Sequence, residues 1–208
     1  MMGVIRDGES VNFALINRGK KSVCLDLKDH DALDAARKLV ATADVVISTN
    51  QSYREIAMTR GRKRSGDVFV VRSAPKVDRF LPGPGNQSMR KGADIVFGYV
   101  GVIGQQEGMD LLVLAAEHLI REMGQSDVHF VIIGFGPARA EMQQQVKRLG
   151  LDDYFTFAGA LYDDALVDAL NAVDIGLAPD PRNAMNDIST MNKVMEYMTL
   201  KKPVVQFD

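Results

Sequence analysis

The chain has 208 residues, of which 46% are apolar and 25% charged, and its formal net charge is −2. These values are ordinary for a globular protein with one large domain, or one domain and part of another, and they exclude a strongly basic or low-complexity chain. A single cysteine, Cys24, excludes an internal disulfide and is typical of a reducing compartment. No apolar run approaches the roughly 18 residues of a membrane span and the N-terminus lacks the apolar core of a signal peptide, so we expect a cytoplasmic protein.

The first 92 residues predict a mixed α/β segment. Strands are expected at 22–27, 44–48 and 67–73, helices at 31–42 and 51–61, and a Pro/Gly-rich linker at 80–92. Asp29 and Asp31 flank His30 where the first helix begins, and we interpret them as helix-capping residues rather than a catalytic pair. Cys24 lies in an apolar alternation, which predicts a buried side chain.

The second part of the chain alternates short apolar strands with helices. Strands are predicted at 93–101, 127–134, 154–159, 174–179 and 203–207, with helices at 107–124, 137–150, 162–172 and from Ser189 onward. Strands that are apolar throughout and separated by helices pair in parallel and are covered on both faces. The pattern therefore predicts an α/β fold with a doubly wound, Rossmann-like parallel sheet, whose ligands bind at the carboxyl ends of the strands.

Residues 51–91 carry ten basic and three acidic side chains. Such a stretch is usually a solvated face, although it could also bind phosphate or a membrane surface. The run from Arg60 to Gly66 is short and lacks interleaved aromatic residues, so we expect no nucleic-acid partner.

Metal and dinucleotide sites find little support in the sequence. The three histidines are not spaced with other ligands as a zinc site requires, so no metal is expected. Gly134 and Gly136 are followed by Arg139 where the third glycine of a dinucleotide fingerprint belongs, so no nicotinamide cofactor is expected either. The glycine-rich turns would still let backbone N–H groups approach a phosphate.

The helix beginning at Ser189 has one polar face. Ser189, Asn192, Lys193 and Glu196 share it at spacings of three and four, and Met191, Val194, Met195 and Met198 are expected to face the core. Lysine can hold a diphosphate by charge, and a glutamate one turn later can accept two hydrogen bonds from a ribose diol. The alternative is a Lys–Glu pair on the surface, which contributes little stability.

From about Ala43 onward the sequence resembles glycosyltransferase family 4, retaining enzymes of the GT-B fold. The resemblance rests on the segments at 43–57, 66–80, 98–119, 129–142, 149–161, 173–181 and 186–208, which occur in family order. It implies that residues from about 94 onward form the C-terminal lobe that binds a nucleotide-sugar donor, and that Glu196 is the second glutamate of the E-x7-E motif. By this resemblance, the catalytic candidates are Glu196, Lys193 and Asp187. The donor-binding candidates are Gly101, Val102, Gly104, Gly134, Gly136, Pro137, Asn186, Ser189, Thr190 and Asn192. The nucleotide sugar is then a substrate, and no separate cofactor is implied.

Two departures from the family pattern bear on activity. Ile188 occupies the place of the first glutamate of the motif, with Asp187 and Asn186 as the nearest substitutes. The basic pair that usually follows the first strand of the lobe is replaced by Val102 and by Gln105 or Gln106. A leaving nucleoside diphosphate needs positive charge, which Lys193 would have to supply.

Residues 16–47 resemble a different family, the class III (CaiB-like) CoA transferases. Their N-R-G-K-x-S-x-x-L-D-L-K segment leads into a helix and an A-D-V-V strand, and the family's catalytic aspartate has no counterpart. We therefore expect a CoA-transferase-like segment at 1–47, an inter-lobe segment and linker at 48–92, and a C-terminally truncated nucleotide-sugar-binding lobe at 93–208. A fusion of two genes and a divergent acceptor-lobe remnant both fit residues 1–47.

The function expected from the resemblance is that of a retaining GT-B glycosyltransferase fragment, acting on a nucleotide-diphosphate sugar and a glycan or lipid-linked acceptor. Without the acceptor lobe, the isolated chain is expected to turn over weakly or not at all. The inner face of the membrane is a second expected location. A CoA-transferase fragment and a noncatalytic nucleotide-binding module are the alternatives.

Overall fold

The computed structural model describes residues 5–6, 9–10, 24–26, 28–184, 186–189 and 191–206. The chain divides into two compact units. The first comprises the residues up to Ile47 together with Tyr53–Phe69, and the second comprises Ser48–Ser52 and Val70–Asp208. Residues 48–92, expected to form one inter-lobe segment, are thus shared between the units. Within the described part of the chain, no helix is long and apolar enough to cross a membrane.

The N-terminal elements are short. Strands β1 (Ile5–Arg6) and β2 (Glu9–Ser10) pair antiparallel, and β3 (Val46–Ser48) pairs with β4 (Val68–Val70); the helices are α1 (His30–Thr42) and α2 (Gln51–Thr59).

The start of α1 confirms the expected capping, because the Asp29 carboxylate accepts a hydrogen bond from the Ala32 N–H at 2.8 Å. The predictions around Cys24 were wrong. Residues 24–26 form no strand, and Cys24 is exposed.

The second unit contains the predicted parallel sheet. Its strands are β5 (Ile95–Val102), β6 (Val128–Phe135), β7 (Phe155–Gly159), β8 (Ile175–Ala178) and β9 (Val204–Gln206). Its helices are α3 (Met109–Arg121), α4 (Arg139–Arg148), α5 (Asp163–Asn171) and α6 (Asn192–Thr199). The strand order is β7–β6–β5–β8–β9, and every neighbouring pair is parallel. The predicted doubly wound α/β fold is confirmed.

Two apolar clusters hold the helices to the sheet. One contains buried residues of α3, α4 and the sheet, among them Val113, Met142 and Ile132. The other contains buried residues of α5, α6 and the sheet, among them Leu170, Tyr197 and Val131. Alternate residues of β6 thus belong to different clusters, as expected of a strand covered on both faces.

Tyr197 of α6 fills a gap between two central strands. β5 pairs with β8 at only two positions, the second of which is Gly98 with Gly176. Beyond that point the Tyr197 hydroxyl lies 3.1 Å from the Gly98 carbonyl oxygen and accepts a hydrogen bond from the Val100 N–H at 3.1 Å. It also lies 3.3 Å from the Leu177 carbonyl oxygen. A side chain at Gly176 would overlap the tyrosine ring, so α6 lies close to the sheet only because this residue is glycine.

We expect Tyr197→Phe to lower the free energy of unfolding by about 1–3 kcal/mol, because the buried Val100 N–H loses its acceptor while the ring is retained. Denaturant unfolding would measure the difference. Tyr154→Phe, a partly buried tyrosine packed against the other cluster, is a suitable control. An unchanged midpoint in Tyr197→Phe would contradict the role assigned to the hydroxyl.

Candidate functional site

The first two strands of the lobe end in loops that contact each other through their backbones. The Ile103 N–H donates to the Phe135 carbonyl at 2.9 Å, and the Ala138 N–H donates to the Ile103 carbonyl at 3.0 Å. A Cβ at Gly134, where φ is +139°, would overlap the Gly101 carbonyl. Glycine at this position is therefore required by the close approach of the loops, in addition to any role in ligand binding.

The other predicted residues of this edge surround the same loops. Val102 is half exposed at the end of β5, Gly104 is buried before the 3₁₀ turn Gln105–Glu107, and Pro137 and Gly136 lead into α4. The structure thus brings the six predicted residues of the β5 and β6 loops together. Their contact with a donor stays a prediction.

The loop before α6 is held by its own asparagines. The Asn183 side chain accepts a hydrogen bond from the Asn186 N–H at 2.9 Å, and the Asn186 side chain donates to the Pro181 carbonyl at 2.7 Å. This places Asn186, Asp187 and Ser189 around a cleft of about 300 Å³ beside the ends of β8 and β9. Thr190, the remaining predicted residue of this loop, lies outside the described residues.

Asn50 fixes the other side of this loop. It is 6% exposed, and its side chain donates a hydrogen bond of 2.8 Å to the carbonyl of Ile188, which belongs to the same compact unit. Ile188 stands where the family resemblance predicts a glutamate, and in the structure its backbone carbonyl anchors the loop.

The orientation of α6 differs from the prediction. The helix begins at Asn192, not at Ser189, and its buried residues are Lys193 and Tyr197, whereas Met198 is 66% exposed. The methionine face is therefore not the core face. Helical spacing separates two faces but does not say which one packs on the sheet, and here the Tyr197 hydroxyl decides it by pairing with strand backbone.

Lys193 is bound by two carboxylates. Its ammonium lies 2.7 Å from Asp180 and 3.3 Å from Glu107, and 4.8 Å from the centre of the Tyr99 ring. The side chain is 8% exposed. The surface-pair alternative is thus wrong, because Lys193 is buried and pairs with Asp180 and Glu107 instead of Glu196. Its proposed contact with a diphosphate stays a prediction, but the ammonium would act from within this cluster.

One lysine faces two acids in this cluster. Burial raises the pKa of the Glu107 carboxyl, and its hydrogen bond with Asp180 raises it further, while the Lys193 charge acts in the opposite direction. Burial also raises the pKa of the neighbouring Tyr99 hydroxyl, which donates to the Val102 carbonyl at 2.7 Å. The cluster therefore carries no surplus positive charge to offer an anionic ligand.

Glu196 is a predicted residue whose carboxylate stays unpaired within the described part of the chain. It is half-buried one turn into α6, and its carboxylate makes no hydrogen bond or ion pair with any residue that the structure describes. Burial raises the pKa of this carboxyl, and the nearby Arg79 charge lowers it. A free, partly desolvated carboxylate of this kind accepts hydrogen bonds strongly.

The remaining predicted residues of this region are more exposed. Asn192 is exposed at the start of α6, and Asp187 lies 3.8 Å from Arg182, a separation too long for a strong pair. Asp187 is therefore free to turn toward the cleft, and its catalytic role stays a prediction. Within the described residues, no group of three or more His, Cys, Asp or Glu side chains could hold a metal ion.

Sequence reasoning missed Glu107, Asp180 and Asn50. Asp180 lies just beyond the end of β8 and Glu107 lies in the turn that follows β5, at the edge where ligand sites are expected, and this was a usable signal. Asn50 is 138 residues away from its partner along the chain, and no local pattern points to that pairing.

We expect Lys193→Ala to lower the free energy of unfolding by about 3 kcal/mol or more, because two carboxylates would remain buried without a cation. Chemical unfolding at neutral pH would measure the loss. The triple variant Lys193→Ala, Asp180→Asn and Glu107→Gln should recover much of it, since both negative charges are then removed. A Lys193→Ala protein as stable as the wild type would contradict the pairing.

Comparison with known proteins places each part of the chain. A family described as glycosyl transferases group 1 matches residues 94–208, and CoA-transferase family III matches residues 1–61. The 2-deoxystreptamine N-acetyl-D-glucosaminyltransferase of Streptomyces fradiae is 28% identical over 142 residues, covering 68% of this chain and 31% of the relative. The 2-deoxystreptamine glucosyltransferase of Streptomyces kanamyceticus is 37% identical over 84 residues, covering 40% of this chain and 21% of the relative. The chain thus spans about a third or less of these relatives.

Solved structures agree on the fold. The crystal structure of Anabaena HepE in complex with UDP and glucose superposes with a TM-score of 0.62 at 20% identity, covering 86% of this chain and 48% of HepE. The C-terminal domain of the group 1 glycosyl transferase LpcC from Francisella tularensis gives a TM-score of 0.51 at 22% identity, covering 64% of this chain and 69% of the LpcC domain.

The CoA-transferase match begins at residue 1 and ends at 61, beyond the limit of 47 expected from the sequence, and stops well before the lobe. The group 1 match covers the whole parallel sheet and more than half of the chain, including all the predicted site residues. By that match, the chain belongs to the group 1 glycosyl transferases.

Proposed function

We propose that this chain contains the donor-binding lobe of a glycosyltransferase that uses a nucleotide-diphosphate sugar. Three kinds of likeness support the proposal: the family match at residues 94–208, the two Streptomyces relatives named as glycosyltransferases, and the fold shared with HepE, whose structures contain UDP or UDP-glucose. We propose a glycan or lipid-linked acceptor and transfer with retention, as the family resemblance implies.

The unpaired carboxylate of Glu196 is the observation on which the proposal rests. Glu196 is half-buried on α6, and its carboxylate has no partner among the described residues. A ribose diol presents two hydroxyl donors to such an acceptor, and hydrogen bonds to a charged group are the stronger kind. We propose that Glu196 holds the ribose and that Asn186, Asp187 and Ser189 face the sugar and diphosphate.

The proposal extends to partners and location. We propose no cofactor and no metal, with the donor sugar as substrate, and no nucleic-acid partner. A cytoplasmic location, with contact to the inner face of the membrane for a lipid-linked acceptor, follows from the single cysteine and the basic residues at 51–91.

A CoA-binding function is the second candidate, favoured by the CoA-transferase match at residues 1–61. The part of that segment from Asn17 to Lys21, which carries the resemblance to the CoA transferases, lies outside the described residues. Calorimetric titration with CoA would separate the two candidates. The donor-lobe proposal predicts that nucleoside diphosphates bind and that this binding does not depend on residues 17–21.

We expect Glu196→Ala to weaken nucleotide binding about tenfold or more, equivalent to at least ~1.4 kcal/mol, because the ribose loses its charged acceptor. Titration calorimetry of the 208-residue chain with UDP, GDP and their sugars would measure it. Glu122→Ala, which removes a 72% exposed glutamate at the end of α3, is the control and should bind like the wild type. Absence of binding to the wild type at millimolar nucleotide, or equal binding by Glu196→Ala, would reject the donor site.

Removing the Glu196 charge should stabilise the apo protein at neutral pH, although it weakens nucleotide binding. The raised pKa of Glu196 means that folding favours the protonated form, so its stabilising contribution is present at low pH and is lost as the pH rises through the folded-state pKa. Glu196→Gln should therefore raise the free energy of unfolding at pH 7 and change it little near pH 4, while still weakening UDP binding. A variant that is less stable than the wild type at pH 7 would show that the carboxylate has a structural partner.

A further inference from the structure

The charge balance of the proposed donor site lacks a free cation. A nucleoside diphosphate brings two or more negative charges, whereas Lys193 is held by Asp180 and Glu107. Val102 and Gln105 or Gln106 occupy the places where a basic pair was expected. A diphosphate bound at the loops after β5 and β6 needs a positive charge close to those loops.

Two other arginines near the strand ends lie close to a carboxylate, and one of them, Arg182, lines the cleft beside Asn186 and Asp187. Arg182 lies 3.8 Å from Asp187, and Arg79 lies 3.3 Å from Asp163. Both pairs are largely exposed, so each is weak, but each cation already faces a carboxylate.

Arg139 differs from both. No hydrogen bond or ion pair joins its side chain to any residue that the structure describes, and its Nε atom is shielded from solvent without an acceptor. Buried N–H groups are almost always hydrogen-bonded in folded proteins, and one on a charged guanidinium is costly to leave unpaired. The Nε–H of Arg139 is therefore a donor that the protein itself does not satisfy.

The position of Arg139 relates it to the donor site. It is the first residue of α4 and directly follows residues 136–138, which connect β6 to this helix. Its own N–H donates to the Gly136 carbonyl at 3.2 Å, while Ala138 is hydrogen-bonded to Ile103 of the neighbouring loop. The backbone of Arg139 is thus fixed beside residues 101–104 and 134–137, six of which are predicted to contact the donor.

We infer that Arg139 is a donor-binding residue whose guanidinium contacts the diphosphate of the nucleotide sugar and supplies the charge that the missing basic pair would have provided. The inference rests on the proposed function, since it assigns a further residue to the same site. A guanidinium is well suited to this contact because it presents several N–H donors in a fixed plane that matches phosphate oxygens.

The test compares UDP with uridine in titrations of the 208-residue chain. Arg139→Gln should weaken UDP binding about tenfold, equivalent to ~1.4 kcal/mol, and leave uridine binding within about twofold of the wild type, because only UDP carries the diphosphate. The matched control is Arg148→Gln, which removes the same charge from the exposed far end of the same helix and should change neither affinity. Arg139→Lys keeps the charge and should lose less UDP affinity than Arg139→Gln.

Stability measurements separate binding from folding. Arg139 has no partner among the described residues, so Arg139→Gln and Arg139→Lys should unfold at the wild-type temperature or above it. A lowered melting temperature, an equal loss of UDP and uridine affinity, or unchanged UDP binding in Arg139→Gln would each overturn the inference while leaving the donor-lobe proposal in place. If the wild type binds neither UDP nor GDP, the proposed function fails, and this inference fails with it.

Discussion

The hydroxyl of Tyr197 joins strands β5 and β8 at the point where they cease to pair with each other, and the candidate site depends on that contact. The two strands share only two residue pairs, and beyond them the tyrosine satisfies backbone groups of both. Because the ring rests against Gly176, α6 lies close to the sheet and its rotation about its own axis is fixed. That rotation buries Lys193 four residues earlier and leaves Glu196 half-buried beside it.

The charges at this edge follow from the same geometry. With Lys193 turned inward, its ammonium lies where Asp180 after β8 and Glu107 after β5 can both reach it. The ion pairs connect three separate segments of the chain, so they hold the mouth of the site together more than they offer charge to a ligand. Glu196, on the adjacent flank of the helix, has no cation in direct contact and keeps its lone pairs available. If this edge binds a diphosphate as proposed, the positive charge must come from a residue other than Lys193, and Arg139 at the neighbouring loop has no partner among the described residues.

The chain combines two kinds of sequence. Residues 1–61 match one family and residues 94–208 another, while Asn50, inside the first match, holds the Ile188 carbonyl of the second. This hydrogen bond belongs to a single compact unit, so the short segment Ser48–Ser52 takes part in the lobe regardless of the origin of the residues before it. The loop that was expected to carry a signature glutamate is instead anchored through its backbone at the position where that glutamate is replaced.

The sequence by itself determined the architecture of the lobe. Five apolar segments alternating with amphipathic helices predict a parallel sheet, since burial of both faces and parallel pairing are consequences of local pattern. The helix carrying Lys193 and Glu196, the glycine turns at the strand ends and the cap at Asp29 were also readable, because capping and turn formation depend on a few adjacent residues.

Only the tertiary structure decided which face of α6 is buried, that Lys193 pairs with Asp180 and Glu107, and that Asn50 reaches Ile188. Helical spacing defines faces without orienting them, and the methionine face was wrongly expected to face the core. Ion pairs and hydrogen bonds between residues far apart in the chain leave no periodic trace in the sequence. They arise only when strands that are distant in sequence become neighbours in the sheet.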